Sequence, residues 1–277
     1  MSVLTGKLPD LSKAKLKLLM YGDTGTGKTY LCTQFPMPYI FDTENATDKE
    51  QYRDNLQRSG GVVVYTKDFD EIYKQIRGLA TEKHPYKTLV IDSLTWVYSS
   101  ILRAAELMPG GTAHGRHYGE ADKKMKMLID LILRLDMHVV ITTHVKEVRD
   151  IQGGLAGTTY DSYKKLGYLF DLVLETKAPR YAVVVKSRYM SFAQLDKINF
   201  VYEEIATRAK LNEIIEHKSL DLIDAATQEK LIHLICVTGT SEETVNKWLS
   251  KANVGSLDQL PESIALKLVG HLEKKDA

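Results

Sequence analysis

The chain has 277 residues, 44% hydrophobic and 26% charged, and its 37 basic and 36 acidic side chains leave a formal charge of only +1. It is long enough to bury one sizeable core, or one core plus a small appendage, and it lacks the global basic field that would announce nucleic acid, so any such surface must be a local patch. Two distant cysteines, Cys32 and Cys236, argue against a disulfide framework or zinc site, and the lack of a signal-peptide core in 1–17 or of a membrane-length apolar run leads us to expect a cytoplasmic protein without membrane contact.

In chain order, short apolar runs read as buried strands at 16–21, 39–41, 62–65, 88–91, 138–142, 169–174 and 181–186. They are short, several are rich in β-branched residues, and most are bounded by charge, Gly or Pro. Helical stretches fall between the earlier ones, at 28–35, 69–80, 94–108 and 118–135. In the last of these, Met125, Leu128, Ile129, Ile132 and Leu133 recur at helical spacing and define one apolar face. Such alternation implies an α/β fold, a mainly parallel central sheet with right-handed crossovers and helices on both faces. The later strands, with less helix between them, suggest an antiparallel extension. Beyond about residue 205 the pattern becomes short helices at 211–217, 227–236, 242–252 and 263–272. Thr240 with Glu243, and Ser256 with Gln259, have capping-box spacing. Leu231, Leu234, Ile235, Val245, Trp248, Leu249, Ile264, Leu268 and Val269 supply a small helical core. The expected division is therefore 1–205 for the α/β domain and 206–277 for a small C-terminal helical module.

The segment Gly22-Asp23-Thr24-Gly25-Thr26-Gly27-Lys28-Thr29 follows a predicted strand and opens a predicted helix. That order suits a phosphate-binding loop: glycines let successive N–H groups converge on phosphate oxygens, and the helix N-terminus adds partial positive charge. Lys28 would reach the β- and γ-phosphates of ATP, and the Thr29 hydroxyl would ligate Mg²⁺. Thr88-Leu89-Val90-Ile91-Asp92-Ser93 is an apolar strand ending in an acid, which places Asp92 to hold Mg²⁺; the bland reading is that Asp92 or Ser93 caps the next helix, and both roles can hold at once. In AAA+ ATPases the position after this Asp is often the catalytic Glu, and here it is Ser93. The search for a base then moves to 40–48, where Glu44 stands beyond a strand end and could orient or deprotonate water. The bland reading of that stretch is a solvated acidic turn.

These stations together resemble a RecA-like P-loop ATPase across roughly 15–203. Residues 22–29 resemble its Walker A loop, 41–48 its water-activating glutamate stretch with the role on Glu44, and 89–93 its Walker B strand. Ile141-Thr142-Thr143-His144 resembles the strand whose last residue senses the γ-phosphate, which falls on His144. Val184-Val185-Lys186-Ser187-Arg188-Tyr189 is similar to the Lys-x-Arg element that related ATPases insert into a neighbour's site; two solvated cations at a strand end are the alternative. The compact form looks most like phage-encoded single-strand annealing and recombination ATPases acting in the host cytoplasm. The resemblance implies ATP and Mg²⁺ as ligands, homo-oligomerisation as ring or filament, single-stranded DNA as partner, and contact with single-stranded-DNA-binding or other replication proteins.

By the same resemblance, two mobile loops face the DNA. They correspond to 109–119, with Arg116 and His117, and to 146–163, with Lys146 and Arg149, followed by Lys164 and Lys165. Cations there would meet phosphates and tyrosines would stack on bases. Competing readings are a DnaB-like ring helicase, a nucleotide-switched helicase loader or regulator, and a small-molecule kinase, for which no arginine-rich lid is apparent.

Overall fold

The computed structural model describes residue 6 and residues 15–109, 112–211 and 219–276; apart from Leu211, the helix expected at 211–217 lies outside them. Nine strands occur among the described residues: β1 (Lys17–Gly22), β2 (Pro38–Asp42), β3 (Val62–Tyr65), β4 (Thr88–Asp92), β5 (His138–Arg149), β6 (Leu155–Asp161), β7 (Leu172–Lys177), β8 (Tyr181–Ser187) and β9 (Lys197–Asn199). Their order is β3-β2-β4-β5-β1-β7-β8-β9, with β6 paired to β5 outside that path. The pairs from β3 through β7 are parallel, and β7–β8 and β8–β9 are antiparallel. The result is the mixed α/β architecture, a mostly parallel central sheet flanked by helices, expected of a P-loop NTPase core.

Every residue of β1 is buried: Leu18, Leu19 and Met20 are the apolar run that a central parallel strand requires, and Lys17 Nζ donates to Met137 O at 3.0 Å. Register then sets the chemistry: Asp42 lies opposite Asp92, Tyr21 opposite Thr143, and Gly22 opposite Thr176. The ends of five strands thus reach one level of one sheet edge.

By compactness the chain falls into two units. The first comprises 1–66, 85–96 and 136–217 and contains all nine strands with α1 (Lys28–Cys32), α2 (Glu50–Ser59), α6 (Leu166–Leu169) and α7 (Tyr202–Ala209). Leu18 and Met20 of β1, Leu31 and Cys32 of α1, Phe35, Leu172, Leu174, Val184, Phe200 and Ile205 form one buried cluster. The second unit comprises 67–84, 97–135 and 218–277. It holds α3 (Phe69–Thr81), most of α4 (Leu94–Glu106), α5 (Arg116–Arg134), α8 (Ala225–Val237), α9 (Glu242–Ala252) and α10 (Glu262–Asp276). Ile223, Leu231, Leu234, Leu260, Ala265, Val269 and Leu272 are its C-terminal core, with Trp248 and Leu249 packed against it. These helices share their unit with α3 and α5, a grouping by contact, whereas the division at 205/206 reads a change of sequence pattern. Asp258 accepts from Tyr73 Oη at 2.6 Å and pairs with Arg77 at 3.0 Å, and Gln259 donates to Met127 O at 2.8 Å. No described helix is long and apolar enough to cross a membrane.

Three local expectations need correction. The cap of α9 is Ser241, whose side chain accepts from Thr244 N, in place of Thr240. Ser256 precedes only a 3-10 turn and makes no side-chain cap bond; its hydroxyl donates instead to Asp258. The stretch 146–163 is mostly a β-hairpin, with β5 and β6 paired from His144–Asp161 to Arg149–Leu155. Asp150 closes its turn by accepting from Gln152 N at 2.9 Å and Gly154 N at 2.8 Å, and Gly153 supplies the positive φ of 84°.

His138, at the start of β5, is 8% exposed and accepts from Leu16 N through Nδ1 at 3.1 Å. Burial, reinforced by Lys15 and Lys17, lowers its pKa from 6.5 to about 4. The unfolded chain therefore takes up this proton at higher pH than the folded one. The contribution is complete above about pH 6.5 and is lost as pH falls through about 4, up to about 3 kcal/mol. In urea unfolding at pH 7.5 and 4.5, His138→Gln should show a shallower loss of stability than wild type; equal slopes would remove the assignment.

Candidate nucleotide site

Between β1 and α1 the loop turns tightly around its glycines. A Cβ on Gly22 would collide with the Thr176 hydroxyl and carbonyl on β7. Gly27, the N-cap of α1, has φ 97° and offers no side-chain acceptor, so the first-turn N–H groups of the helix stay directed at the cleft. Thr26 braces the loop, its hydroxyl 2.9 Å from Asp23 O and 2.7 Å from Thr176 Oγ1. Lys28 curls over the loop and donates to Gly22 O at 2.7 Å and Asp23 O at 2.8 Å. Burial holds its pKa below the usual lysine range against the opposing pull of Asp92, Glu44 and Asp23.

Thr29 Oγ1 donates to Asp92 Oδ2 at 2.5 Å, and Thr142 on β5 donates to Asp92 Oδ1. Burial pushes the Asp92 carboxyl up, and the two hydroxyl bonds oppose that shift. A buried carboxylate beside a threonine hydroxyl, compensated by hydroxyls alone among its hydrogen-bond partners, is an oxygen donor set suited to a hard divalent cation. Thr29 and Asp92 therefore fit Mg²⁺.

Asp42 is fully buried and accepts from Glu44 N at 3.1 Å, Thr47 N at 2.9 Å and Thr47 Oγ1 at 2.7 Å. It builds the turn that presents Glu44. Glu44 Oε1 then accepts from Ser93 Oγ at 2.7 Å and lies 2.7 Å from His144 Nε2. Ser93 is itself pinned, donating its N–H to Thr43 Oγ1 at 2.8 Å. His144 is oriented by Thr95 Oγ1, which accepts from His144 N at 3.0 Å and donates to Asp161 O at 2.7 Å.

Lys28, Thr29, Glu44, Asp92 and His144 line one cleft of ≈ 390 Å³, together with Thr24, Gly25, Gly27, Tyr30 and Arg180. Four separated sequence stations thus meet around one space. Lys186 and Arg188 do not line it. Lys186 donates to the carbonyls of Gly167, Tyr168 and Phe170 at 2.9, 2.9 and 2.7 Å, and Arg188 pairs with Asp171 at 2.8 Å. Lys146 and Arg149 sit on β5, and Lys164 and Lys165 just before α6. Arg116 and His117 open α5 in the second unit, where the His117 ring is tilted against Tyr118 with centres 4.1 Å apart and lies 3.9 Å from Glu106; Gly110 and Gly111 of that expected loop lie outside the described residues. Participants that the sequence did not reveal include Ser93, weighed there as a helix cap and as the position lacking a glutamate, Tyr30, and Arg180, on a turn far from the loop in sequence.

The fold and the cleft define a P-loop nucleotide-binding protein. The family described as an AAA domain matches residues 14–199, about two thirds of the chain and every strand, and the chain belongs to that family, one of ATPase type. No curated protein matches it.

Proposed function

We propose that the protein hydrolyses ATP in a cycle coupled to single-stranded DNA, serving annealing or recombination of DNA strands. The observation that supports this best is the placement of Glu44. A carboxylate held by Ser93 and His144 stands in the same cleft as Lys28, Thr29 and Asp92. In this reading the loop amides and Lys28 bind the triphosphate, and Glu44 orients the attacking water and accepts its proton. His144 holds the carboxylate in place. Thr29 and Asp92 would hold Mg²⁺, which would neutralise charge on the triphosphate when bound.

The DNA arm rests on the β5–β6 hairpin. Lys146 and Arg149, both on β5, lead to a tip near which Ile151 and Leu155 are exposed, a mixture of cations and apolar side chains that suits phosphates and bases. Lys164 and Lys165 follow it, and Arg116 and His117 are further candidate contacts. Lys186 and Arg188, outside the protomer's own cleft, fit the role of cations lent to a neighbour in a homo-oligomer, ring or filament. The decisive assay is phosphate release with and without single-stranded DNA. Stimulation of about tenfold or more supports the reading, and an unchanged rate overturns the DNA coupling. Tight binding without turnover would favour a nucleotide-switched loader or regulator. In the same assay, mixing Glu44→Gln with Arg188→Ala protomers should restore some turnover if sites are shared; no restoration overturns the sharing.

A further inference from the structure

In the sheet, β2, β4 and β5 lie on one side of β1, Glu44 following β2, Asp92 ending β4 and His144 lying where β5 passes from β1 to β6, and β7 lies on the other side. The turn from β7 to β8, Ala178-Pro179-Arg180, brings Arg180 into the same cleft from that opposite side. Its Cζ lies 5.0 Å from the centre of the Tyr30 ring, and its Cγ is 3.9 Å from where a Cβ on Gly27 would stand. Arg180 has φ 67°, the left-handed region where glycine is sterically favoured, so the turn holds a long cation where its backbone would prefer none. Among the described residues no carboxylate forms an ion pair with Arg180.

A triphosphate seated on this loop directs its terminal phosphate toward Lys28 and Asp92. Its nucleoside then leaves from the other flank, where Arg180 and Tyr30 stand. A guanidinium is planar, weakly hydrated and able to stack on π-faces. Two stacking contacts of about 3.5 Å each need about 7 Å, more than the 5.0 Å between Arg180 and Tyr30. A base is therefore not sandwiched between them; its place is the side of the guanidinium away from the Tyr30 ring, whose centre lies 5.0 Å from Cζ. We infer that Arg180, backed by Tyr30, is the platform for the base of the bound nucleotide and favours purines, which offer the larger stacking face. This rests on the reading of the cleft as a nucleotide site.

Calorimetric titration of the full chain, in Mg²⁺, with ATP, CTP and inorganic tripolyphosphate tests it. Wild type should bind ATP more tightly than CTP. Arg180→Ala should weaken ATP about tenfold, within the roughly 5- to 150-fold span of single stacking contacts, narrow the gap between ATP and CTP, and leave tripolyphosphate unchanged. Arg180→Lys, which keeps the charge and loses the plane, should behave like Arg180→Ala. Equal losses for ATP and tripolyphosphate, or full rescue by lysine, would make Arg180 a phosphate contact and overturn the inference, as would unaltered ATP affinity in Arg180→Ala. If wild type binds neither ATP nor tripolyphosphate, the nucleotide-site reading itself fails and takes this one with it.

Discussion

Replacing Lys28 with alanine should raise the Kd for Mg²⁺-ATP by roughly a hundredfold or more, the scale of losing a charge-assisted contact to a largely desolvated phosphate. The ammonium now rests on the carbonyls of Gly22 and Asp23, and burial already disfavours its charged form. The free protein therefore has little to lose from its removal, and thermal unfolding without nucleotide should stay close to wild type. Calorimetric titration combined with a melting curve separates the two effects. Near-wild-type affinity in a folded variant would detach the loop from nucleotide binding.

Glu44→Gln should keep nucleotide affinity within a few-fold and lower turnover by about 10²- to 10⁴-fold, the range associated with a positioned acid or base. The amide is nearly isosteric, and its oxygen can still accept the Ser93 hydroxyl now bound at 2.7 Å. What disappears is the ability to take a proton from water. Phosphate release measured beside nucleotide binding reads this directly, and unimpaired release would exclude Glu44 as the base. The position after Asp92 cannot supply the function, because Ser93 there is a donor to Glu44 and has no carboxylate of its own.

Most of the sheet was legible because its strands are short apolar runs ending at charge or glycine. The 62–65 strand matches its expected limits, and β5 was recognised through its apolar half. The elements that escaped lack that contrast. In α2, Asn55 alone is buried, so no apolar stripe marks it as a helix. In β6, Leu-Ala-Gly-Thr-Thr-Tyr-Asp reads as a loop until Asp150 folds the turn that pairs it with β5. On α5, the buried face includes Leu131, and Leu133 is only half-buried, because packing rotates the buried face slightly from the apolar stripe. In the site, Lys28, Thr29, Asp92 and His144 were readable because each follows or ends a recognisable strand. Ser93 was not, since its value depends on a bond to Glu44 that spans 49 positions. Arg180 was invisible for the same reason, its nearness to the loop existing only once β7 pairs with β1.

β5 changes partners along its length. Residues up to Thr143 pair with β1 and those up to Ile141 with β4, and from His144 onward the same strand pairs with β6. His144, which touches Glu44, therefore sits where a continuous twelve-residue strand leaves the sheet and becomes the hairpin. A register shift at Val148/Arg149 marks that path near the tip, and a ligand that tilts the exposed tip works on a lever whose fulcrum is the residue beside the Glu44 carboxylate.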